Sequence, residues 1–179
     1  MKTRNHSLQN LVLAAIFLAL CLVLPFLTGQ IPQIGSALCP MHIPVLLAGF
    51  VCGPACAAAV GFVAPLLRFV LFGMPPIFPT GVAMCFELAA YGAVAGLLYA
   101  RLPRKTSGIY LSLTGAMLAG RAVWGVVRVL LSGAAGASFT WQMFLAGAFL
   151  NAIPGILVQL VLIPLLVMAL QRASLMRTS

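Results

Sequence analysis

Four ionisable side chains lie inside long apolar stretches of this sequence: Arg68, Glu87, Arg121 and Arg128. If these stretches cross a bilayer, each central charge costs about 2.5–3.5 kcal/mol on insertion scales, so the set opposes insertion by about 10 kcal/mol. Charges in such positions usually face the interior of a helix bundle, where they pair or line a solute path. The chemistry they suggest is ion pairing, or the binding of a charged solute.

Depth along the predicted helices divides these charges into a pair and two further cations. At a rise of 1.5 Å per residue, Glu87 lies about seven residues and Arg121 about ten residues from the outer ends of their helices, so these two are predicted to pair. Arg68 and Arg128 lie only about three or four residues from outer ends. Glu87 is the one acidic residue in the chain. Two guanidinium groups are therefore left without a carboxylate, which suits an anionic solute.

Trp124 lies on nearly the same helical stripe as Arg121 and Arg128, because seven residues turn an α-helix by about 700°. An aromatic ring flanked by guanidinium groups suits a planar or anionic organic solute. Asn151 in the last helix and His42 at the end of the first long loop could add hydrogen bonds to a polar ligand. These residues are the candidate substrate-binding set.

Each candidate also has a purely structural interpretation. The two unpaired arginines could extend to the membrane interface, and Trp124 could be a packing residue or an interfacial anchor. Asn151 could join two helices by a hydrogen bond, and the Glu87–Arg121 pair could be structural. His42 could merely begin a helix. What favours solute binding is that all these groups fall in the same half of the membrane, where the loops carry no Lys or Arg.

The same inventory argues against an enzyme. One acidic residue cannot supply a two-carboxylate mechanism or a carboxylate-bound Mg²⁺ site, and the sequence contains no His-Glu-x-x-His, Gly-x-Ser-x-Gly or phosphate-binding Gly-Lys-Ser/Thr motif. Cys52 and Cys56 flank a turn, but no second Cys or His pair completes a metal set. We expect no catalytic residue, no metal and no cofactor, so that ATP hydrolysis, if it drives transport, comes from another chain.

Composition indicates which elements position these groups. Of the 179 residues, 63% are hydrophobic and 6% charged, whereas a soluble domain carries about 25% charged residues. A spanning helix needs roughly 20 apolar residues. The sequence therefore predicts an all-α, multi-pass integral membrane protein, folded as one six-helix transmembrane bundle over residues 1–179.

The predicted bounds of the helices follow from the apolar runs and from the Gly and Pro residues that interrupt them. The second helix is unusually short, since ten residues rise only about 15 Å, and Gly53-Pro54 ends it. The last helix exceeds a span, and prolines at 154 and 164 are expected to kink it. The predicted helices are 8–27, 43–52, 54–72, 80–100, 108–131 and 141–171, with a long first loop over 28–42.

The basic residues predict the orientation. Ten Lys and Arg give a net charge of +9. Seven of them lie at the two termini or in the turn at 101–105, the ends that the positive-inside rule places in the cytoplasm. Both termini are thus predicted to be cytoplasmic. The basic residues are predicted to contact membrane lipid rather than nucleic acid. The seven are Lys2, Arg4, Arg101, Arg104, Lys105, Arg172 and Arg177.

Several segments resemble the substrate-binding S components of energy-coupling factor (ECF) vitamin transporters. Residues 40–54 (PMHIPVLLAGFVCGP) are similar to the family's second helix and its Gly-Pro turn, which would explain the shortness of this helix. Residues 61–68 (GFVAPLLR), 73–76 (GMPP) and 86–92 (FELAAYG) are similar to its helix 3–4 region. Ala15 and Ala19 match the helix 1 pattern with which the family meets its coupling membrane subunit.

The resemblance implies a multi-pass subunit of a prokaryotic plasma membrane that captures a vitamin or related micronutrient at the outer face. A coupling transmembrane protein and two ATPase subunits would then reorient it to release the solute inward. Substrate identity does not carry over, but the excess of guanidinium groups favours a carboxylate-bearing vitamin such as pantothenate or a folate-like compound over thiamine. The alternatives are a self-contained secondary transporter or channel and, less favoured by the missing catalytic groups, a small membrane enzyme.

Overall fold

The computed structural model describes residues 2–28 and 37–173, with side chains from residue 8 onward. Part of the predicted first loop (residues 29–36) and the basic residue Arg177 lie outside the described residues. Within the described ranges the chain forms helices and turns and no strand. The helices are α1 Lys2–Val23, α2 His42–Cys52, α3 Pro54–Phe72, α4 Val82–Arg101, α5 Thr106–Ala134, α6 Trp141–Ala148 and α7 Ile153–Arg172.

Five segments are long and apolar enough to cross a membrane, and α2 is the short exception. The five are Leu8–Leu27, Pro54–Phe72, Ile77–Arg101, Thr106–Ala134 and Trp141–Arg172. α2 has 11 residues and rises about 16 Å, half the hydrocarbon thickness. The structure thus confirms the all-α membrane bundle and its short second helix.

Two boundaries differ from the sequence prediction. The segment 141–172 is not one kinked helix: it breaks at Phe149–Ala152 and resumes at Ile153 with Pro154 in its first turn. The reason is that Pro154 has no N–H and its ring would clash with the carbonyl four residues earlier in a continuous helix. The helix predicted from residue 80 begins at Val82, because a wide turn over Ile77–Gly81 precedes it.

α4 is the centre of the bundle. It packs against α3 on one side and α5 on the other, and α2 lies against α1, α3 and α4. Small residues make these contacts close: a Cβ added at Gly92 would lie 2.7 Å from the carbonyl oxygen of Ala57, and one at Gly96 would lie 2.6 Å from the nitrogen of Pro54. The Gly92-x-x-x-Gly96 pattern therefore brings α3 against α4, which fixes the position of α4 side chains in the core.

Candidate substrate site

A buried ionic cluster joins α2, α4 and α5. Arg121 Nη1 on α5 donates a hydrogen bond of 2.8 Å to Glu87 Oε1 on α4, so the predicted ion pair is confirmed. His42 Nε2 on α2 lies 3.4 Å from the same oxygen. All three side chains are buried. One carboxylate thus faces an imidazole and a guanidinium in the interior of the bundle.

The shortness of α2 explains why His42 reaches this carboxylate. His42 is the first residue of α2, and a helix of 11 residues that ends at the inner side spans only about half the hydrocarbon thickness. Glu87 is the eleventh of the 25 residues of the apolar segment Ile77–Arg101 and is therefore also near mid-membrane. A full-length second helix would have carried its first residue to the outer surface.

Two side chains that the sequence analysis did not single out complete the cluster. Arg121 Nη2 lies 3.7 Å from Cys39 Sγ, and the Tyr91 ring meets the His42 ring edge-on with centroids 5.0 Å apart. Tyr91 could have been found, because it lies one helical turn beyond Glu87 and so shares its face. Cys39 gave no signal, since it lies outside any helix and its position depends on the path of the loop.

Several polar atoms of this cluster are buried without a hydrogen-bond partner among the described residues. They are Nδ1 of His42, Oη of Tyr91 and Nε of Arg121. His42 Nε2 also makes no hydrogen bond, but it faces Glu87 Oε1 at 3.4 Å. Buried polar groups in folded proteins are nearly always satisfied, because each unsatisfied group costs about 1–3 kcal/mol. The cluster therefore holds hydrogen-bonding capacity that a polar group of a solute could use.

A second group lies one heptad along α5, about 10 Å from Arg121. The guanidinium carbon of Arg128 is 5.8 Å from the Trp124 ring centroid and 5.5 Å from that of Phe139, distances at which a cation is attracted to an aromatic face. Arg128 Nε is buried without a hydrogen-bond partner in the described chain. Arg128 and Trp124 are thus adjacent, as their spacing predicted, with the aromatic ring between the two arginines in sequence.

A comparison with protein families identifies the family of the chain. The family model for the substrate-specific component of ECF transporters matches residues 9–167. The chain belongs to this family. No curated protein matches the sequence, and no solved structure matches it either.

An S component is a transporter subunit of the cell membrane, not an enzyme, and works with a coupling membrane protein and ATPases on a small substrate. The multi-pass membrane location predicted from composition is confirmed by the family and by the five apolar spans. The ionic cluster lies in the core of this S component. The Arg128 group lies next to the cluster, further along α5. They are the candidates for its substrate contacts.

Arg68 is held elsewhere in the S component. Its Nη1 donates a 2.7 Å hydrogen bond to the carbonyl oxygen of Leu22, and its guanidinium carbon lies 5.3 Å from the Phe26 ring centroid and 5.4 Å from that of Phe72. The side chain is buried by these contacts. The structure therefore places Arg68 between α1 and α3, in contact with neither Arg128 nor the ionic cluster among the contacts of the described residues.

The polar residues of the last span lie in different environments. Asn151 lies in the break between α6 and α7 and is exposed, as is Gln142. Gln159, which the sequence analysis passed over, is buried. It lies one turn beyond Gly155, where an added Cβ would be 2.7 Å from the carbonyl oxygen of Leu38. Gln159 therefore shares the α7 face that packs on the residues just before Cys39.

The face of α1 that points away from the bundle is not covered by the rest of the described chain. Ala15 and Ala19 are exposed, as are the neighbouring Leu11, Val12 and Ile16. Small residues at this spacing allow another helix to approach closely. The face predicted to meet the coupling subunit is thus available to a partner.

An apolar crevice of about 440 Å³ opens between α5 and α6 on the lipid-facing side. It is lined mainly by aliphatic and aromatic side chains, including the exposed Val126, Val129 and Trp141. It contains none of the charged residues of the ionic cluster. Its chemistry fits hydrocarbon rather than a polar vitamin.

Proposed function

We propose that this S component captures a vitamin or related micronutrient that carries a carboxylate, and that Arg128 and Trp124 bind its acidic part. The observation that carries the proposal is the charge pairing. Glu87 is the one acidic residue of the chain, and its Oε1 is 2.8 Å from Arg121. Arg128 consequently has no side-chain carboxylate to neutralise it, and an arriving anion supplies one.

The buried ionic cluster binds the other end of the solute in this proposal. His42, Tyr91 and Arg121 present buried atoms without hydrogen-bond partners in the described structure. Arg121 and Arg128 are seven residues apart on one face of α5, a separation of about 10 Å. An elongated molecule with a polar head, a carboxylate tail and a middle that packs on Trp124 matches this spacing. Pantothenate and folate-like compounds have these features.

The roles of the remaining candidates follow from their contacts. Arg68 is assigned to the α1–α3 interface, because the Leu22 carbonyl and two phenylalanine rings already surround it. Asn151, at the break between α6 and α7, is assigned to the outer rim, where an exposed amide can reach a solute as it enters. The exposed Ala15–Ala19 face is assigned to the coupling membrane protein, which two ATPase subunits drive.

Thermal unfolding of the purified S component with a vitamin panel tests the substrate class. Pantothenate should raise the unfolding temperature, whereas its alcohol analogue pantothenol, which lacks the carboxylate, should not. If pantothenate has no effect, biotin and its neutral analogue biotinamide provide the same comparison, and folate is a further acid to test. Arg128→Gln should weaken the carboxylate ligand at least tenfold, because a hydrogen bond to a charged group contributes about 1.5–3 kcal/mol. Arg101→Gln is the matched control, an equal charge change at an exposed position.

Two outcomes would overturn the proposal. One is stabilisation by thiamine alone, with Arg128→Gln binding it as tightly as the parent chain. The other is equal stabilisation by an acid and its neutral analogue. Gentle purification followed by mass spectrometry of the co-purified small molecule and protein chains gives an independent answer on both the solute and the assembly.

A further inference from the structure

The tertiary structure brings two basic segments that are distant in sequence to the same end of the bundle. Tyr99, near the end of α4, contacts residues of both segments. Gln171 Nε2 on α7 donates a 2.6 Å hydrogen bond to Tyr99 Oη, and the guanidinium carbon of Arg104 lies 6.0 Å from the Tyr99 ring centroid. Thr106 Oγ1 at the start of α5 also lies 3.9 Å from Met168 Sδ on α7.

These contacts place Arg172, the neighbour of Gln171, beside the turn that contains Arg101 and Lys105. We call Arg101, Lys105 and Arg172 the basic cluster. All three side chains are exposed, and the described part of the chain shows no acidic side chain near them. Glu87 lies fourteen residues before Arg101 on α4, about 21 Å away along the helix axis, which is well beyond the Debye length of about 8 Å at physiological salt.

The surroundings of the basic cluster are those of the lipid headgroup level. Each cation lies at or just beyond the end of a membrane-spanning segment. Exposed apolar side chains flank it on the spans themselves, Leu97 on α4 and Leu165 and Leu166 on α7. An anion bound here would have the basic cluster on one side and exposed hydrocarbon surface beneath it, which is the geometry of a phospholipid rather than of a soluble acidic protein.

We propose that the basic cluster is a binding site for the phosphate headgroup of an anionic phospholipid, whose acyl chains lie along α4 and α7. The Tyr99–Gln171 hydrogen bond links α7 to α4 at this end, and the packing of α7 on α5 places Arg172 near the turn. This site is separate from the candidate substrate site and does not depend on the identity of the solute.

Native mass spectrometry of the purified chain tests the proposal, with phosphatidylglycerol and phosphatidylcholine of identical acyl chains as probes. Phosphatidylglycerol should bind at least tenfold more tightly. Each of Arg101→Gln, Lys105→Gln and Arg172→Gln should weaken it about fivefold, since one Lys or Arg near an anionic lipid surface contributes on the order of 1 kcal/mol. These positions are exposed, so the variants should unfold at the same temperature as the parent.

Two controls separate a built site from diffuse charge. Lys2→Gln removes one cation from the start of α1, and it should leave the preference for phosphatidylglycerol unchanged. Tyr99→Phe keeps the net charge but removes the hydroxyl that Gln171 contacts, and it should weaken phosphatidylglycerol binding severalfold.

Three results would overturn the proposal: equal binding of the two lipids, a loss in Lys2→Gln as large as in Arg172→Gln, or complete displacement of phosphatidylglycerol by inorganic phosphate.

Discussion

Arg121 and Glu87 form an ion pair of 2.8 Å between α5 and α4 in which both side chains are buried. The pair consumes the one carboxylate of the chain, and His42 approaches the same oxygen from α2. Three helices therefore meet at a single charged group. That arrangement links the stability of the bundle to the chemistry of its candidate substrate site.

The first prediction concerns this pair. Glu87→Gln keeps the shape of the side chain but leaves Arg121 as a buried cation without a counter-charge, so the free energy of unfolding should fall by about 3–5 kcal/mol. The double variant Glu87→Gln/Arg121→Met should recover most of the loss, because no buried charge remains. Thermal unfolding in detergent measures the stability of both variants, and Arg101→Gln is the surface control. A Glu87→Gln chain as stable as the parent would show that the pair contributes nothing.

The second prediction uses the two tryptophans of the chain. Trp124 is half-buried beside Arg128, whereas Trp141 is 69% exposed on the lipid-facing side. If the solute packs on Trp124, binding should change the intrinsic fluorescence of the parent and of Trp141→Phe. The change should disappear in Trp124→Phe. A signal retained in Trp124→Phe and lost in Trp141→Phe would place the solute elsewhere.

The third prediction concerns the close contact of α3 and α4. A methyl group at Gly61 would fall on the carbonyl group of Leu88, the neighbour of Glu87. Gly61→Ala should therefore force the helices apart and lower the free energy of unfolding by about 1–3 kcal/mol. At Gly133 a Cβ meets nothing within 4 Å, so Gly133→Ala is the matched control and should change stability little. Equal melting temperatures for the two variants would contradict the packing described here.

The fourth prediction concerns pH. Burial raises the pKa of the Cys39 thiol, and this effect outweighs the nearby Arg121, which lowers it. A raised pKa means that less thiolate is present near pH 7.5, and only the thiolate reacts with maleimides. In a chain with Cys39 as its single cysteine, modification should be slow at pH 7.5 and accelerate as the pH rises above the ordinary thiol range. A second chain, with the half-buried Cys56 as its single cysteine, provides the comparison. Faster labelling of Cys39 than of Cys56 at pH 7.5 would argue against its burial.

The fifth prediction separates capture from transport. Ala15→Trp and Ala19→Trp fill the exposed small-residue face of α1 without touching the core, so solute binding by the isolated chain should stay unchanged. Co-purification with the coupling membrane protein and uptake by cells should both fall, because a bulky ring keeps the partner helix away. Leu118→Trp, at an exposed position of α5, provides a control for added bulk on another helix. Normal uptake in both alanine variants would place the coupling interface on another surface.

Some features of the site were predictable because they depend on one helix at a time. Arg121, Trp124 and Arg128 share a stripe of α5 by helical periodicity alone, and the contact of Arg128 with Trp124 confirms it. The ion pair was predictable for a similar reason. Only one acid was available, and its depth in α4 matched that of Arg121 in α5.

Other features were not predictable, because they depend on how neighbouring helices are rotated and where the chain between them passes. Arg68 has the same sequence signature as Arg128, an arginine near the outer end of a span. Its guanidinium is nevertheless satisfied by the Leu22 carbonyl and by two phenylalanine rings. The break at Phe149–Ala152 likewise leaves Asn151 exposed, although the residue lies within a long apolar run.

By itself the sequence determined that the chain lies in a membrane, which segments are apolar enough to span it, the short second helix and the scarcity of carboxylates. Hydropathy, span length and charge count are properties of segments, and they do not change with packing. Only the tertiary structure decided which polar groups meet: His42 with Glu87, Cys39 with Arg121, and Gln171 with Tyr99. The reason is that a side-chain contact depends on the relative rotation and depth of two helices, which are set by packing between helices and which no single segment encodes.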